Sequence, residues 1–252
     1  MALTLTVLGT ATPHPRPGRP CSGYLLSGGG AEIWVDAGPG SFAALQEHTD
    51  PARLSAIWVS HLHADHCADL LSAAYAFAYG GLTPAAPVPV YAPRDCGRRI
   101  AAFLGRSDPG SLDGVFDLRP LSDGHEAWAG GVRLGSHAVA HDTEAYGLRA
   151  ECEGGVLAYS GDSGPVPALA RLAVGADLFL CEAGLDRHRD GEQRVHLTPE
   201  DAGRVARTAG VRELCVTHVG PALTREAAAA RAAAVFGGRT TAAREGDVKV
   251  IA

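Results

Sequence analysis

The chain has 252 residues, 46% of them hydrophobic, and a formal charge of −6 at neutral pH. That length supplies a core large enough to fold without disulfide or structural-metal staples, and the acidic balance argues against broad electrostatic affinity for nucleic acid. No run approaches the roughly 20 apolar residues that span a bilayer, so no membrane partner is expected.

Lys249 is the only lysine beside 21 arginines, and asparagine is absent, which we read as the codon bias of a GC-rich genome. Six cysteines stand at 21, 67, 96, 152, 181 and 215 with no C-x-x-C pair. They predict reduced, mostly buried thiols. With a first strand that lacks a basic leader, they make the expected location cytoplasmic.

Alternation over Leu3, Leu5 and Val7, then over 23–26 and 33–35, is broken by glycine and proline turns and predicts a β-meander. Over 65–80, Leu70, Leu71, Ala74, Phe77 and Ala78 recur at helical spacing, which predicts one helix ending at Gly80-Gly81 with one face against a sheet. A second β-rich block is expected over 127–159. Helices follow over 165–174, 199–209 and 224–236, with Thr198 and Asp201 in a capping arrangement and Gly210 and Gly237 as C-terminal glycines. There is also an internal echo. One strand ends in Asp36 and a later one in His61, and the order repeats with Asp162 and His218. The repeat predicts a single domain over 1–252 built from two βα halves whose strand ends meet.

The densest chemistry is His61-Leu62-His63-Ala64-Asp65-His66, directly after an apolar strand. In an extended segment His61 and His63 project to one side and can grip one cation, while Asp65 and His66 enter the following turn and can face a second. An isolated histidine is more often a hydrogen-bonded structural residue. Three histidines and an aspartate at one spot would stay unpaired without a metal. Further donors stand at strand ends: His141, Asp162 and His218.

This H-x-H-x-D-H motif, the later histidine, the strand-end aspartate and the final histidine resemble the ordered ligand set of the metallo-β-lactamase superfamily, over nearly the whole chain. The resemblance implies an α/β fold, the four-layer αββα sandwich. It also implies that His61, His63 and His141 bind one zinc, that Asp65, His66 and His218 bind another, and that Asp162 bridges them. Manganese or iron would suit the same donors. Asp36 matches the first motif, where the carboxylate supports a ligand from behind.

Within the superfamily the chain is similar to the ribonuclease Z-like branch. Cys181-Glu182-Ala183 resembles its His-Glu-Ala segment and His196-Leu197-Thr198 its His-x-Thr loop. The likeness implies that Glu182 and His196 form a dyad that protonates the leaving group, with Asp65 orienting the attacking hydroxide; a surface histidine before a helix cap is the plainer reading of His196. Between His141 and Asp162 the sequence leaves space for one strand and a turn. That is too short for the arm with which true transfer-RNA processing enzymes of this branch hold their substrate, so transfer RNA is disfavoured. The expected substrate is a small phosphodiester or cyclic nucleotide. A carboxylic-ester, thioester or lactone hydrolase is the alternative enzyme, and a non-catalytic metal-binding module the alternative of another class. Arg16 and Arg19 would border the site as phosphate holders or as solvated arginines of a proline-stiffened loop. Arg94, Arg98, Arg99 and Arg106 read as a solvated face. A homodimer is compatible with the resemblance.

Overall fold

The computed structural model describes residues 2–252. Its meander is β1 (Leu3–Gly9), β2 (Gly23–Gly28) and β3 (Ala31–Ala37), followed by α1 (Ser41–Leu45) and β4 (Ala56–Trp58). The expected helix over 65–80 is two pieces, α2 (Ala64–Cys67) and α3 (Asp69–Tyr79), divided at Ala68. Ala68 keeps helical angles between them, at φ −67° and ψ −27°, and the Asp69 carboxylate accepts the Phe42 amide at 2.8 Å, which docks α3 on α1. Then come β5 (Val88–Ala92), α4 (Cys96–Phe103) and β6 (Phe116–Pro120).

The second half runs β7 (Glu126–Ala129), β8 (Val132–Ala138), β9 (Tyr146–Cys152), β10 (Gly155–Tyr159), α5 (Pro167–Leu172) and β11 (Leu178–Glu182). It ends with α6 (Pro199–Ala209), β12 (Glu213–Thr217), α7 (Arg225–Phe236), β13 (Arg239–Ala242) and β14 (Val248–Ile251). Helix α5 is shorter than the expected 165–174 because Val166, preceding Pro167, is held extended at φ −127° and ψ 150°. Gly210 and Gly237 close α6 and α7 in the left-handed region, at φ 65° and 77°.

Two seven-stranded sheets result, ordered β14-β1-β2-β3-β4-β5-β6 and β13-β12-β11-β10-β9-β8-β7. Leu5, Val7, Ile33 and Val35 of the first meet Leu134, Leu148, Leu157 and Leu180 of the second in a core between the sheets. The outer face of the first sheet packs Trp34 and Val90 against Leu70, Phe77 and Ile100 of the helices, and that of the second packs Phe179 and Leu214 against Leu169, Ala206 and Ala232. This is the αββα sandwich. Strands β3 and β4, and β10 to β12, are parallel neighbours, so Asp36, His61, Asp162 and His218 leave their sheets at carboxyl ends, where parallel sheets present their ligands. All six cysteines are unpaired and five are buried. Among the described residues, no helix is long and apolar enough to cross a membrane.

Helix α6 starts on a full capping box. Thr198 Oγ1 accepts from the Asp201 amide at 3.2 Å and Asp201 Oδ2 from the Thr198 amide at 3.0 Å, with His188 Nε2 2.6 Å from the same oxygen. Burial pushes the Asp201 carboxyl up, but these donors outweigh it and hold it below its usual value. Asp201→Ala should cost about 2 kcal/mol, or roughly 4–8 °C in Tm, at neutral pH. A carboxyl lowered by folding stabilises above its unfolded value and loses that contribution as pH falls through the folded one. The gap between native and variant melting curves should therefore close below about pH 4. A gap independent of pH would show that the charge contributes nothing.

Candidate metal centre

The site is built from the back. Asp36 ends β3 with φ at 56°, a left-handed conformation uncommon outside glycine. Its fully buried carboxylate accepts four hydrogen bonds: from the Ser60 amide (2.7 Å), Ser60 Oγ (2.9 Å), His66 Nδ1 (2.7 Å) and Tyr159 Oη (2.7 Å). Ser60 Oγ in turn lies 3.0 Å from His61 Nδ1, and the Val195 carbonyl 2.9 Å from His141 Nδ1. Each of these imidazoles has its Nδ1 proton engaged at the rear, which leaves the Nε2 lone pair for the front.

Those front atoms converge. Donor atoms of His61, His63 and His141 lie within 4.8 Å of one another, as do those of Asp65, His66 and His218, and those of His61, His66 and Asp162. Asp162 lies between the clusters, its oxygens 3.8 Å from His61 Nε2, 3.4 Å from His66 Nε2 and 3.3 Å from His218 Nε2. Gly161 places it there from φ 56°; a Cβ at Gly161 would fall 2.8 Å from the Tyr146 carbonyl oxygen. His218 leaves β12 in the left-handed region too, at φ 49°.

A cation fits this donor set. His61 Nε2, His66 Nε2 and Asp162 Oδ1 are buried without a hydrogen-bond partner, an arrangement whose cost is removed when a positive charge satisfies all three. Protonation shows the same demand. Burial lowers the His66 imidazole, yet Asp162 and Asp36 outweigh it and raise it well above its ordinary value. His61, which lacks such close carboxylates, is driven well below by burial and by the His66 charge.

Residues 31–219 match the family described as beta-lactamase superfamily domain. The chain belongs to the metallo-β-lactamase superfamily. It is 38% identical over 254 residues to the uncharacterized protein ML1173 of Mycobacterium leprae, covering 98% of this chain and 88% of that protein. It is 30% identical to a ribonuclease Z of Kineococcus radiotolerans, covering 98% of this chain and 94% of the relative. Among solved structures, the metallo-β-lactamase fold protein YhfI of Bacillus subtilis superposes with a TM-score of 0.85 at 24% identity, and a diphosphatase from the PhnP family with 0.74 at 21%; each comparison covers 99% of both chains. This metallo-β-lactamase chain is thus a superfamily hydrolase in architecture and in its metal-competent clusters.

All seven residues expected as metal ligands stand in one place. So does the expected dyad: His196 Nδ1 lies 2.9 Å from Glu182 Oε1 and 3.8 Å from Asp162 Oδ2. Glu182, buried at the end of β11, is fixed by the Ser163 amide at 2.9 Å and the Gly184 amide at 2.8 Å. Burial lowers the His196 imidazole, but Glu182 more than offsets this and pushes it up to about 9. Asp65 accepts from Thr12 Oγ1 at 3.1 Å and lies 3.4 Å from His218 Nε2, so the β1–β2 loop borders the site. Arg16 Nη2 donates to the Thr12 carbonyl at 3.3 Å, and Arg19 has a buried Nε without a partner.

Two sequence expectations are corrected. Between His141 and Asp162 lie two strands, β9 and β10, not one. They form an antiparallel hairpin closed at Glu153-Gly154, with Cys152 opposite Gly155 and Leu148 opposite Tyr159. Arg99 is more than part of a solvated face: its Nη1 donates to the Leu62 carbonyl at 3.2 Å and buttresses the metal-binding loop. Sequence reasoning also missed Tyr159, Ser60 and the Val195 carbonyl. The Tyr-Ser-Gly-Asp and Ser-His runs were visible, but nothing in them said that the hydroxyls face Asp36.

Asp36→Asn keeps the shape and removes the charge behind His66. Its cation affinity, read by chelator competition, should fall by about 10–100-fold. An unchanged affinity would mean that Asp36 serves only the fold.

Proposed function

We propose that this chain is a two-cation phosphodiesterase acting on a small phosphodiester or cyclic nucleotide. One observation carries the choice of phosphorus over carbon: a proton-donating pair, His196 on buried Glu182, stands at the edge of the ligand set. An alkoxide leaving phosphate needs a positioned acid. Two zinc ions, with manganese or iron as alternatives, would supply Lewis acidity towards the phosphoryl oxygens and make water acidic enough to attack near neutral pH.

The chain's own residues do the rest. His61, His63 and His141 would hold one cation, Asp65, His66 and His218 the other, and Asp162 both. Asp65, steadied by Thr12, orients the attacking water. Glu182 takes the Nδ1 proton of His196 in a hydrogen bond and fixes the ring, so that Nε2 carries the proton given to the leaving oxygen. Arg16 and Arg19, on the loop whose Thr12 reaches Asp65, would face an anionic group at the mouth.

A small substrate is favoured over transfer RNA. Between His141 and Asp162 stand only the β9–β10 hairpin and its flanking turns, which leave no room for a substrate-holding arm there. The net charge of −6 also disfavours tracking along a phosphate backbone. Six unpaired thiols suit the reducing cytoplasm.

The test is a substrate panel on the zinc-loaded native chain: bis-p-nitrophenyl phosphate, p-nitrophenyl acetate and a thioester. Turnover of the phosphodiester, abolished by a chelator, is the expected result. Ester or thioester turnover alone would replace this reading with an acyl hydrolase, and metal uptake with no turnover of any substrate would leave a binding module.

A further inference from the structure

The loop between β11 and α6 carries two groups on which the site depends: the Val195 carbonyl behind His141 and the His196 ring on Glu182. Its neck is cross-linked. At the base the Leu185 amide donates to the Leu197 carbonyl at 3.0 Å. One step out, Arg231 of α7 reaches both limbs with a single guanidinium. Nη1 and Nη2 donate to the Asp186 side chain and carbonyl at 2.5 and 2.6 Å, while Nε and Nη2 donate to the two carboxylate oxygens of Glu200 at 2.7 and 2.9 Å. Glu200 stands in the first turn of α6, into which the returning limb runs. His188 then meets Asp201 across the neck at 2.6 Å. The returning limb has no slack, because a Cβ at Gly164 would fall 1.8 Å from the Arg194 carbonyl oxygen, and this sets the loop against the Asp162 turn.

A single half-exposed ion pair contributes little. A planar guanidinium whose donors are divided between two carboxylates and a carbonyl does more, since it fixes the separation of the groups it joins. We infer that Arg231 is a positioning residue for the metal centre: by bracketing Asp186 and Glu200 it holds the loop neck closed, and so sets where the Val195 carbonyl meets His141 and where His196 stands beside Asp162. The part that concerns turnover through His196 rests on the phosphodiesterase reading above, and the part that concerns His141 does not.

The experiment uses two variants. Arg231→Ala removes the bracket, and Asp186→Ala loosens the outgoing limb while leaving the contact between Arg231 and Glu200 that ties α7 to α6. In metal-free chain, hydrogen exchange at the Leu185 amide reports opening of the neck and should be about tenfold faster in Arg231→Ala. Zinc affinity, read by chelator competition, should fall about tenfold, the lower end of the cost of losing a ligand's rear partner. At saturating zinc, kcat for a cyclic nucleotide should fall about tenfold while that for bis-p-nitrophenyl phosphate changes less than about twofold, because only the first needs the acid in place. Asp186→Ala should move all three readings in the same direction by less, since the Asp186 carbonyl still accepts. Native zinc affinity in both variants, together with a native ratio of the two turnovers, overturns the inference even if exchange quickens or the melting temperature falls, and leaves Arg231 as a tie between two helices. If the native chain turns over neither substrate, the phosphodiesterase reading fails by itself and the other two measurements decide: faster exchange with weaker zinc binding upholds the bracket, and an unchanged zinc affinity removes it.

Discussion

Asp162→Ala is expected to lower phosphodiester turnover by at least about three orders of magnitude and to leave the chain unable to retain two cations. Among the described residues, no other carboxylate lies so close to both clusters: within 3.8 Å it reaches His61, His66, His218 and His196. Burial pushes its carboxyl up, yet His218 and His66 outweigh this and hold it well below the usual range. Its charge is therefore kept between the two clusters, beside that of Asp65. The fold should survive, because the β9–β10 and β10–β11 pairing around it depends on backbone bonds. Metal analysis and circular dichroism on the same preparation separate these outcomes. A variant that keeps both cations and near-native turnover would show that the two clusters do not need a shared carboxylate.

His196→Ala should produce a loss that depends on the leaving group. A cyclic nucleotide expels an alkoxide, which needs a proton, so its kcat should fall about 10²–10⁴-fold. p-Nitrophenolate departs without protonation, so bis-p-nitrophenyl phosphate should lose less than about tenfold. Glu182→Gln should reproduce the pattern more weakly, since the amide still holds the ring in place but no longer favours its charged form. A damaged binding pocket would depress both substrates alike. Equal losses on the two substrates would remove His196 from the acid role, and no loss on either would return it to a surface residue ahead of a helix cap.

The sequence made the front of the site legible, and Asp36 behind it, but left the rest of the rear out of sight. Ligand spacing is local: His61, His63, Asp65 and His66 lie within six residues, and the strand-end positions of Asp162 and His218 follow from apolar runs of ordinary length. The groups that orient these ligands are not local. Tyr159 reaches Asp36 across 123 positions and Val195 reaches His141 across 54, and such pairings exist only once two sheets have closed face to face. Backbone strain is equally invisible in composition: aspartate and histidine enter the left-handed region more readily than most residues, but nothing in the sequence says that Asp36 and His218 do. The helix over 65–80 reads as one because its apolar face continues and Ala68 keeps helical angles between α2 and α3.

The two-cation centre is tested by a stepwise zinc titration of metal-free chain, with phosphodiester turnover followed in the same cuvette. Two equivalents per chain are expected, with activity appearing as the second is taken up and disappearing with chelator. Saturation at one equivalent, or phosphodiester turnover that is complete before any metal is added, would rule out a two-cation phosphodiesterase.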